Sequence, residues 1–430
     1  MEKFFKLRER GTDVRTEVLA GLTTFLAMAY ILAVNPGMLS QTGMDAGGVF
    51  TATAVAAGIA TLVMAFAANL PVALAPGMGL NAFFTYTVVM GMGYSWQTAL
   101  AAVFLEGVLF IILSLLKVRE GIIKAIPQNL KKAVAVGIGL FITLIGLADG
   151  GIVSGSTGTI IGFVPLKETA LVAIIGLIIT IMLLCRKVKG AIIIGMILTT
   201  LIGIPFGVTT IPEGFSPVSL PAAPLFCKFE FSNVLTFKFF IVFFTFLFVD
   251  MFDTIGTLMG VAEQSNLKDE NGDIKNVNQA LFADAVGTVA GAMLGTSTVT
   301  SFVESTAGVA EGGKTGLASV TTALMFFIAL FLSPLFLLVP SAASAPALII
   351  VGYMMMSSAS TIEFKDLTEG IPAFITIMAM PFSYSIATGI SWGVISYVIC
   401  KVAAGKFKDI SIVTWILCAI FVVKIVLDAM

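Results

Sequence analysis

Four acidic residues lie in segments that are otherwise apolar enough to sit inside a lipid bilayer: Asp250, Asp253, Asp284 and Glu304. A carboxylate at membrane depth costs roughly 2.5–3.5 kcal/mol on insertion scales, so such residues usually line a path for substrates or ions. Asp250 and Asp253 are three residues apart, which places both on one face of a helix. Glu106, within FLEGVLF, is a further acid of the same kind. The sequence therefore predicts a buried acidic site that binds a polar ligand, carries protons, or does both.

Each acid also has a structural interpretation. Glu304 and Asp253 could be buried carboxylates that neighbouring hydroxyl groups satisfy, although a membrane-depth carboxylate beside an irregular segment favours function. Asp250 could pair with Lys238 or act as a second proton site, and Asp284 could orient the irregular segment that follows it. The sequence alone leaves these alternatives open.

The composition is that of an all-α polytopic membrane protein. The chain has 430 residues, of which 58% are hydrophobic and 11% charged, and its mean hydropathy is +1.04. Soluble domains carry about 25% charged residues. The sequence contains no histidine, so proton chemistry has to use carboxylates. We find no basic run suited to nucleic acid, no metal-ligand cluster and no nucleophile–base pair, and therefore predict neither a nucleic-acid-binding protein nor an enzyme.

The apolar pattern predicts fourteen membrane segments in two sets of seven. They span 18–36, 49–68, 72–90, 97–117, 131–149, 168–184 and 189–207, then 236–261, 277–295, 299–313, 317–339, 345–360, 371–383 and 387–403. Lysine and arginine collect in the loops that this count places inside the cell, which predicts a cytoplasmic N-terminus. The charged start followed by a full span also predicts that no signal peptide is cleaved. The apolar stretch 410–428 could be a further span or a helix on the membrane surface.

Two of these segments, the third and the tenth, are predicted to be broken helices. The third contains Ala75-Pro-Gly-Met-Gly-Leu-Asn81, and the tenth contains the polar, β-branched run Gly295–Gly308. Irregular backbone at membrane depth is tolerated only where it is buried in protein or lines a cavity. Because seven is odd, the two halves have opposite orientations and form an inverted repeat, whose broken helices usually form the binding site of a transporter.

The broken segments supply further candidates. Two facing half-helix N-termini offer free N–H donors and positive dipole ends. The Asn81 amide could bind the edge of a heterocycle or could be a helix-capping residue. Phe302, with Phe83 and Phe84, is a candidate for stacking on a planar ligand. Gly256 would allow its helix to pack closely against a neighbour.

Long motifs resemble one transporter family. APGMGLNAFF, FLFVDMFDTIGTLMGVA and ADAVGTVAGAMLGTSTVTSFVESTAGVAEGGKTG are similar to the AzgA-like branch of the nucleobase:cation symporter-2 (xanthine/uracil permease) family. The resemblance runs essentially from end to end. It implies a transporter in a bacterial-type cytoplasmic membrane that takes up adenine, guanine or hypoxanthine together with protons. It also implies a core domain (1–130 and 236–340), a gate domain (131–210 and 341–430) and a connector (211–235).

The resemblance assigns roles to individual residues. Asp253 matches the acid of the eighth helix, Glu304 the acid of the tenth and Asn81 the asparagine of the third. We expect these three residues to bind the purine, with Asp253, Asp250 and Glu304 in proton coupling. Asp284, Gly79, Gly256 and Phe302 are then expected to support the site. Thr254 replaces a histidine of the uracil branch, so that branch's proton route does not transfer.

Several expectations complete this interpretation. We expect no cofactor and no metal, with the proton as coupling ion and the lipid bilayer as surroundings. The alternative function is transport of an anion such as sulfate or bicarbonate on the same fold, although acids at the helix breaks would repel an anion. The sequence leaves open which purine is preferred and whether the chain forms a homodimer.

Overall fold

The computed structural model describes residues 2–115, 127–155, 161–232, 234–265 and 276–429. The described part is mainly helical, as the composition predicts. Its α-helices, numbered α1 to α18 in order, span Glu2–Phe5, Val14–Met28, Ile31–Leu39, Ala46–Val63, Met78–Ala82, Trp96–Leu115, Gln128–Asp149, Glu168–Cys185, Ala191–Gly203, Phe237–Ser265, Val277–Leu294, Ser305–Ala310, Gly316–Ala329, Ser333–Leu337, Ser341–Met356, Leu367–Ser383, Ile386–Ala403 and Ile412–Ala429. The strands β1 to β4 span Leu74–Pro76, Val153–Ser154, Gly162–Phe163 and Val299–Ser301.

Helices occupy all of the predicted membrane segments. In the described part, nine helical stretches of at least 18 residues are apolar enough to cross a bilayer. Three shorter apolar helices cover Ala191–Gly203, Leu367–Ser383 and Ile412–Val426. The last of these packs against α17 and corresponds to the predicted stretch 410–428. The count of fourteen crossings stays a prediction.

The helices pack in two groups. In one group, α2 and α4 pack against α13, while α4 and α6 pack against α11. In the other group, α7 packs against α15 and α16, and α16 packs against α17. The division into a moving core and gate stays a prediction.

The third and tenth segments are broken as predicted. Each begins with a short buried strand and continues as a helix: β1 leads into α5 and a π-helix at Phe83–Gly91, and β4 leads into α12. The strands pair antiparallel, with Leu74 opposite Ser301 and Ala75 opposite Thr300. Two extended segments from opposite halves of the chain therefore lie side by side inside the protein.

The unpaired backbone groups of these strands are bound by threonines from two helices. The Thr61 hydroxyl, on α4, accepts from Leu74 N at 3.0 Å and lies 3.2 Å from Leu74 O. The Thr288 hydroxyl, on α11, accepts from Val299 N at 3.3 Å and lies 2.9 Å from Val299 O. Leu74 and Val299 are the first residues of their strands, so the two contacts are equivalent in an inverted repeat. Non-helical backbone at this depth requires such internal partners.

Candidate functional site

Glu304 lies at the junction between strand β4 and helix α12. Glu304 directly precedes α12 and is 4% exposed. Its Oε1 accepts a hydrogen bond from the Tyr30 hydroxyl at 2.5 Å. Tyr30 lies in the interruption between α2 and α3, which turns its ring towards the second half of the chain. Hydrogen bonds to a charged acceptor are short and about twice as strong as neutral ones. Tyr30 therefore fixes the Glu304 carboxyl group at the strand–helix junction.

Asp253 faces the equivalent junction of the first broken segment. Its Oδ2 lies 3.6 Å from the position that a β-carbon on Gly77 would occupy, and Gly77 directly precedes α5. Asp253 remains partly accessible, and Glu304 lies within electrostatic range of it. The structure therefore brings the two predicted carboxyl groups to the two helix starts.

Asn81 connects the two broken segments. It lies inside α5, where its Nδ2 donates to Pro76 O at 3.4 Å and its Oδ1 accepts from the Ser297 hydroxyl. Gly77, not Asn81, occupies the capping position of this helix. The Asn81 amide therefore connects the third segment to the tenth and does not cap its own helix.

Asp250 and Asp284 form a layer behind Asp253, and both are completely buried. The Thr254 hydroxyl donates to Asp284 Oδ1 at 2.7 Å, shares a hydrogen bond with the Thr300 hydroxyl at 2.7 Å and lies 3.5 Å from Asp250 Oδ1. Because Thr254 has a single proton, a donor bond to Asp284 leaves Thr300 as the donor to Thr254. Thr254 thus links Asp284 to strand β4.

The remaining predicted residues lie around this centre. A β-carbon on Gly79 would be 2.7 Å from Ile138 Cγ2, so α5 touches α7 there. Phe302 is 5% exposed at the end of β4, whereas the Phe83 ring packs against Phe246 with a centroid distance of 4.8 Å. Gly256 lies on α10, and its surroundings fall outside the described side chains.

Sequence reasoning missed two polar residues that hold the site together. Tyr30 is the partner of Glu304, and Ser297 is the partner of Asn81. The sequence feature that could have pointed to Tyr30 is its hydroxyl group, which lies inside an otherwise apolar membrane segment. Its partner is 274 residues away in the chain, so no local pattern identifies the contact.

A separate cavity does not belong to this site. It has a volume of about 430 Å³ and lies between the connector after α9 and the segment that joins α14 to α15. The residues that line it carry hydroxyl groups but no ionisable side chain. In the described part of the chain, no group of three or more Asp, Glu, Cys or His side chains is placed to hold a metal ion.

Comparison with known proteins identifies the family. A model of the xanthine/uracil permeases, described as the Permease family, matches residues 15–392. The chain belongs to this family. The permease is 42% identical to the adenine permease AdeQ of Escherichia coli, over 99% of this chain and 96% of AdeQ. It is 44% identical to the guanine/hypoxanthine permease PbuO of Bacillus subtilis, over 98% of this chain and 99% of PbuO.

A solved structure confirms the architecture. The transmembrane domain of the cyanobacterial bicarbonate transporter BicA aligns with a TM-score of 0.66 at 15% identity, covering 91% of this permease and 97% of that chain. At this identity the likeness shows the fold alone, which is the predicted inverted repeat. The protein is a multi-pass membrane permease and not an enzyme.

Proposed function

We propose that this permease takes up a purine nucleobase (adenine, guanine or hypoxanthine) together with protons. The names of AdeQ and PbuO, which match over nearly their full lengths, support a purine substrate. The acidic site supports a ligand that donates hydrogen bonds.

The observation that carries this proposal is the placement of two carboxyl groups at two facing helix starts. Asp253 lies beside Gly77, and Glu304 precedes α12 under the Tyr30 hydroxyl. A neutral purine presents N–H donors at its edges, which suit carboxylate acceptors. In the proposed complex, Asp253 and Glu304 accept from these N–H groups and Asn81 keeps the two segments together. An anion would be repelled by the same two acids.

Proton coupling is proposed to use Asp253, with Asp250 and Glu304. A protonated carboxyl group is neutral and therefore less costly to move within the membrane. The partial accessibility of Asp253 suits proton exchange, and Asp250 lies one turn away on the same helix. We further propose alternating access, in which the core moves against the gate, with the N-terminus in the cytoplasm.

The test is uptake of labelled adenine, guanine, hypoxanthine, uracil and sulfate in bacterial cells that lack their own purine permeases. Each compound is assayed with and without a proton uncoupler, for the wild type, Glu304→Gln and Glu213→Gln. Glu213 is exposed in the connector and serves as the matched control. We expect uptake of at least one purine that the uncoupler and Glu304→Gln abolish and that Glu213→Gln leaves unchanged.

Two results would overturn parts of this proposal. Uptake of sulfate without any purine would contradict the substrate class. Purine uptake that is indifferent to the uncoupler would leave the substrate standing and remove proton coupling.

A further inference from the structure

Glu106 is a buried acid that the proposed substrate site does not use. It lies in the middle of α6 and is completely buried. The Thr298 hydroxyl donates to its Oε2 at 2.9 Å. Thr298 directly precedes β4, so this carboxyl group accepts a hydrogen bond from the residue before the strand.

Thr298 also contacts the first broken segment. Its backbone carbonyl accepts from Gly77 N at 3.0 Å, which extends the antiparallel register of β1 and β4 by one residue pair. Gly77 begins α5 and lies beside Asp253 Oδ2. Glu106 is thus joined to the start of a half-helix through one side-chain and one backbone hydrogen bond.

The residue after Glu106 explains how α6 comes close enough. A β-carbon on Gly107 would lie 2.8 Å from Val289 Cγ2 and 3.0 Å from Thr288 Cγ2. Glycine therefore allows close contact between α6 and α11. Thr288 in turn binds the backbone of Val299, the residue after Thr298. The Glu106-Gly107 pair places α6 against two consecutive residues of the second broken segment.

We propose that Glu106 is a positioning residue for substrate binding, which acts through Thr298 to fix Gly77 and the start of α5 opposite Asp253. This inference rests on the proposed purine transport for its functional measurement. Glu106 does not contact the substrate in this arrangement. Its role is to accept a hydrogen bond, not to carry a transported proton.

The functional test compares KM and maximal rate of purine uptake, normalised to the amount of protein in the membrane. We expect Glu106→Ala and Thr298→Val each to raise KM at least fivefold with the maximal rate within twofold of wild type. The double variant should have the same KM as either single variant, because both substitutions remove the same hydrogen bond. Glu106→Gln keeps an oxygen acceptor and should stay within twofold of wild-type KM, with an unchanged pH profile. Ser114→Ala, on the same helix, is the matched control.

A second measurement does not depend on transport. Hydrogen–deuterium exchange of the purified protein in lipid nanodiscs, followed in peptides that cover residues 72–82, reports on the Gly77 amide. Exchange there should be at least tenfold faster in Glu106→Ala and Thr298→Val than in wild type, Glu106→Gln or Ser114→Ala. If the wild type transports no purine, the proposed function fails while this measurement still decides whether Glu106 positions the segment.

Three results would overturn the inference. Glu106→Gln could be as impaired as Glu106→Ala with a shifted pH profile, which would make Glu106 a proton-carrying group. Additive effects of Glu106→Ala and Thr298→Val would show that they act separately. Unchanged exchange over residues 72–82 would show that Glu106 does not hold the first segment.

Discussion

The two broken segments share one backbone plan but differ in side-chain chemistry. Both begin with a three-residue strand whose first residue is bound by a threonine, and the strands pair residue for residue. The first strand, Leu74–Pro76, is wholly apolar, whereas the second strand and its approach, Thr296–Ser301, carry five hydroxyl groups. Backbone groups must be satisfied in both halves because both lie at membrane depth. Side chains are free to differ, and the second of the two segments carries the hydroxyl groups.

The hydroxyl groups of the second segment bind residues from three different helices. Thr296 accepts from the Asn35 amide at 2.8 Å, and Thr298 donates to Glu106 at 2.9 Å. Thr300 shares a hydrogen bond with Thr254 at 2.7 Å. These three threonines alternate along the chain, and each contacts a different helix. The second segment is therefore anchored by side chains, and the first is positioned by pairing with it.

The largest effect is expected where the two halves differ most, at Glu304. Tyr30→Phe removes the hydroxyl that donates to this carboxyl group and leaves a buried acceptor without that partner. Such a loss costs about 1.5–3 kcal/mol, and we therefore expect purine KM to rise at least tenfold. Tyr94→Phe, at the end of the first segment, is the control. Equal KM values for Tyr30→Phe and wild type would show that Glu304 needs no such support.

The position equivalent to Glu304 in the first segment is Gly79, because each lies five residues after the first residue of its strand, Leu74 or Val299. A β-carbon there would meet Ile138 of α7 at 2.7 Å. We expect Gly79→Ala to lower the maximal uptake rate about tenfold while KM changes less than twofold, since this contact joins α5 to α7 and does not involve the ligand. Adding Ile138→Ala removes the clashing methyl group and should restore most of the rate. A KM effect without a rate effect would instead place Gly79 in the binding site.

The threonine contacts test the part of the comparison in which the halves agree. Thr61→Val and Thr288→Val each remove one hydroxyl that binds both the N–H and the carbonyl of a buried strand residue. We expect each to lower the free energy of unfolding by about 1–2 kcal/mol, with equal shifts in thermal unfolding in detergent. Thr61→Ser and Thr288→Ser keep the hydroxyl and serve as controls. Clearly unequal shifts in the unfolding temperature would show that the two threonine contacts are not equivalent.

Sequence reasoning predicted the helical segments, the two breaks and the burial of Asp250, Asp284 and Glu304, because these features depend on local composition. Apolar length gives a span, and Pro76-Gly77 or a β-branched polar run gives a break. The partners of the acids could not be predicted, because Tyr30–Glu304 and Ser297–Asn81 join residues more than 200 positions apart. The role of Thr254 in linking Asp284 to Thr300 was also missed, since a threonine inside an apolar helix is usually bonded to its own backbone.

The smallest effects are expected at the far ends of the broken segments, where each contacts the other helix group. The first ends with the Tyr86 hydroxyl donating to Asp149 Oδ2 at 3.1 Å, and the Tyr86 ring packs edge-on against Tyr384. The second ends with an ion pair between Lys189 and Glu311 at 2.7 Å, whose side chains are 59% and 32% exposed. Exposed ion pairs contribute about 0–1 kcal/mol. The Tyr86–Asp149 hydrogen bond should therefore hold its helices together more strongly than the Lys189–Glu311 ion pair does.

This difference can be measured with spin labels on Met90 and Phe382, two exposed residues at the Tyr86 end, in a cysteine-free variant. We expect Tyr86→Phe to add a population with a longer label-to-label distance, because the hydrogen bond that joins the groups is lost. Lys189→Gln should leave this distance unchanged, since its ion pair is exposed and belongs to the other segment. If both substitutions opened the Tyr86 end equally, the two ends would be mechanically coupled and the asymmetry of the halves would be confined to the substrate site.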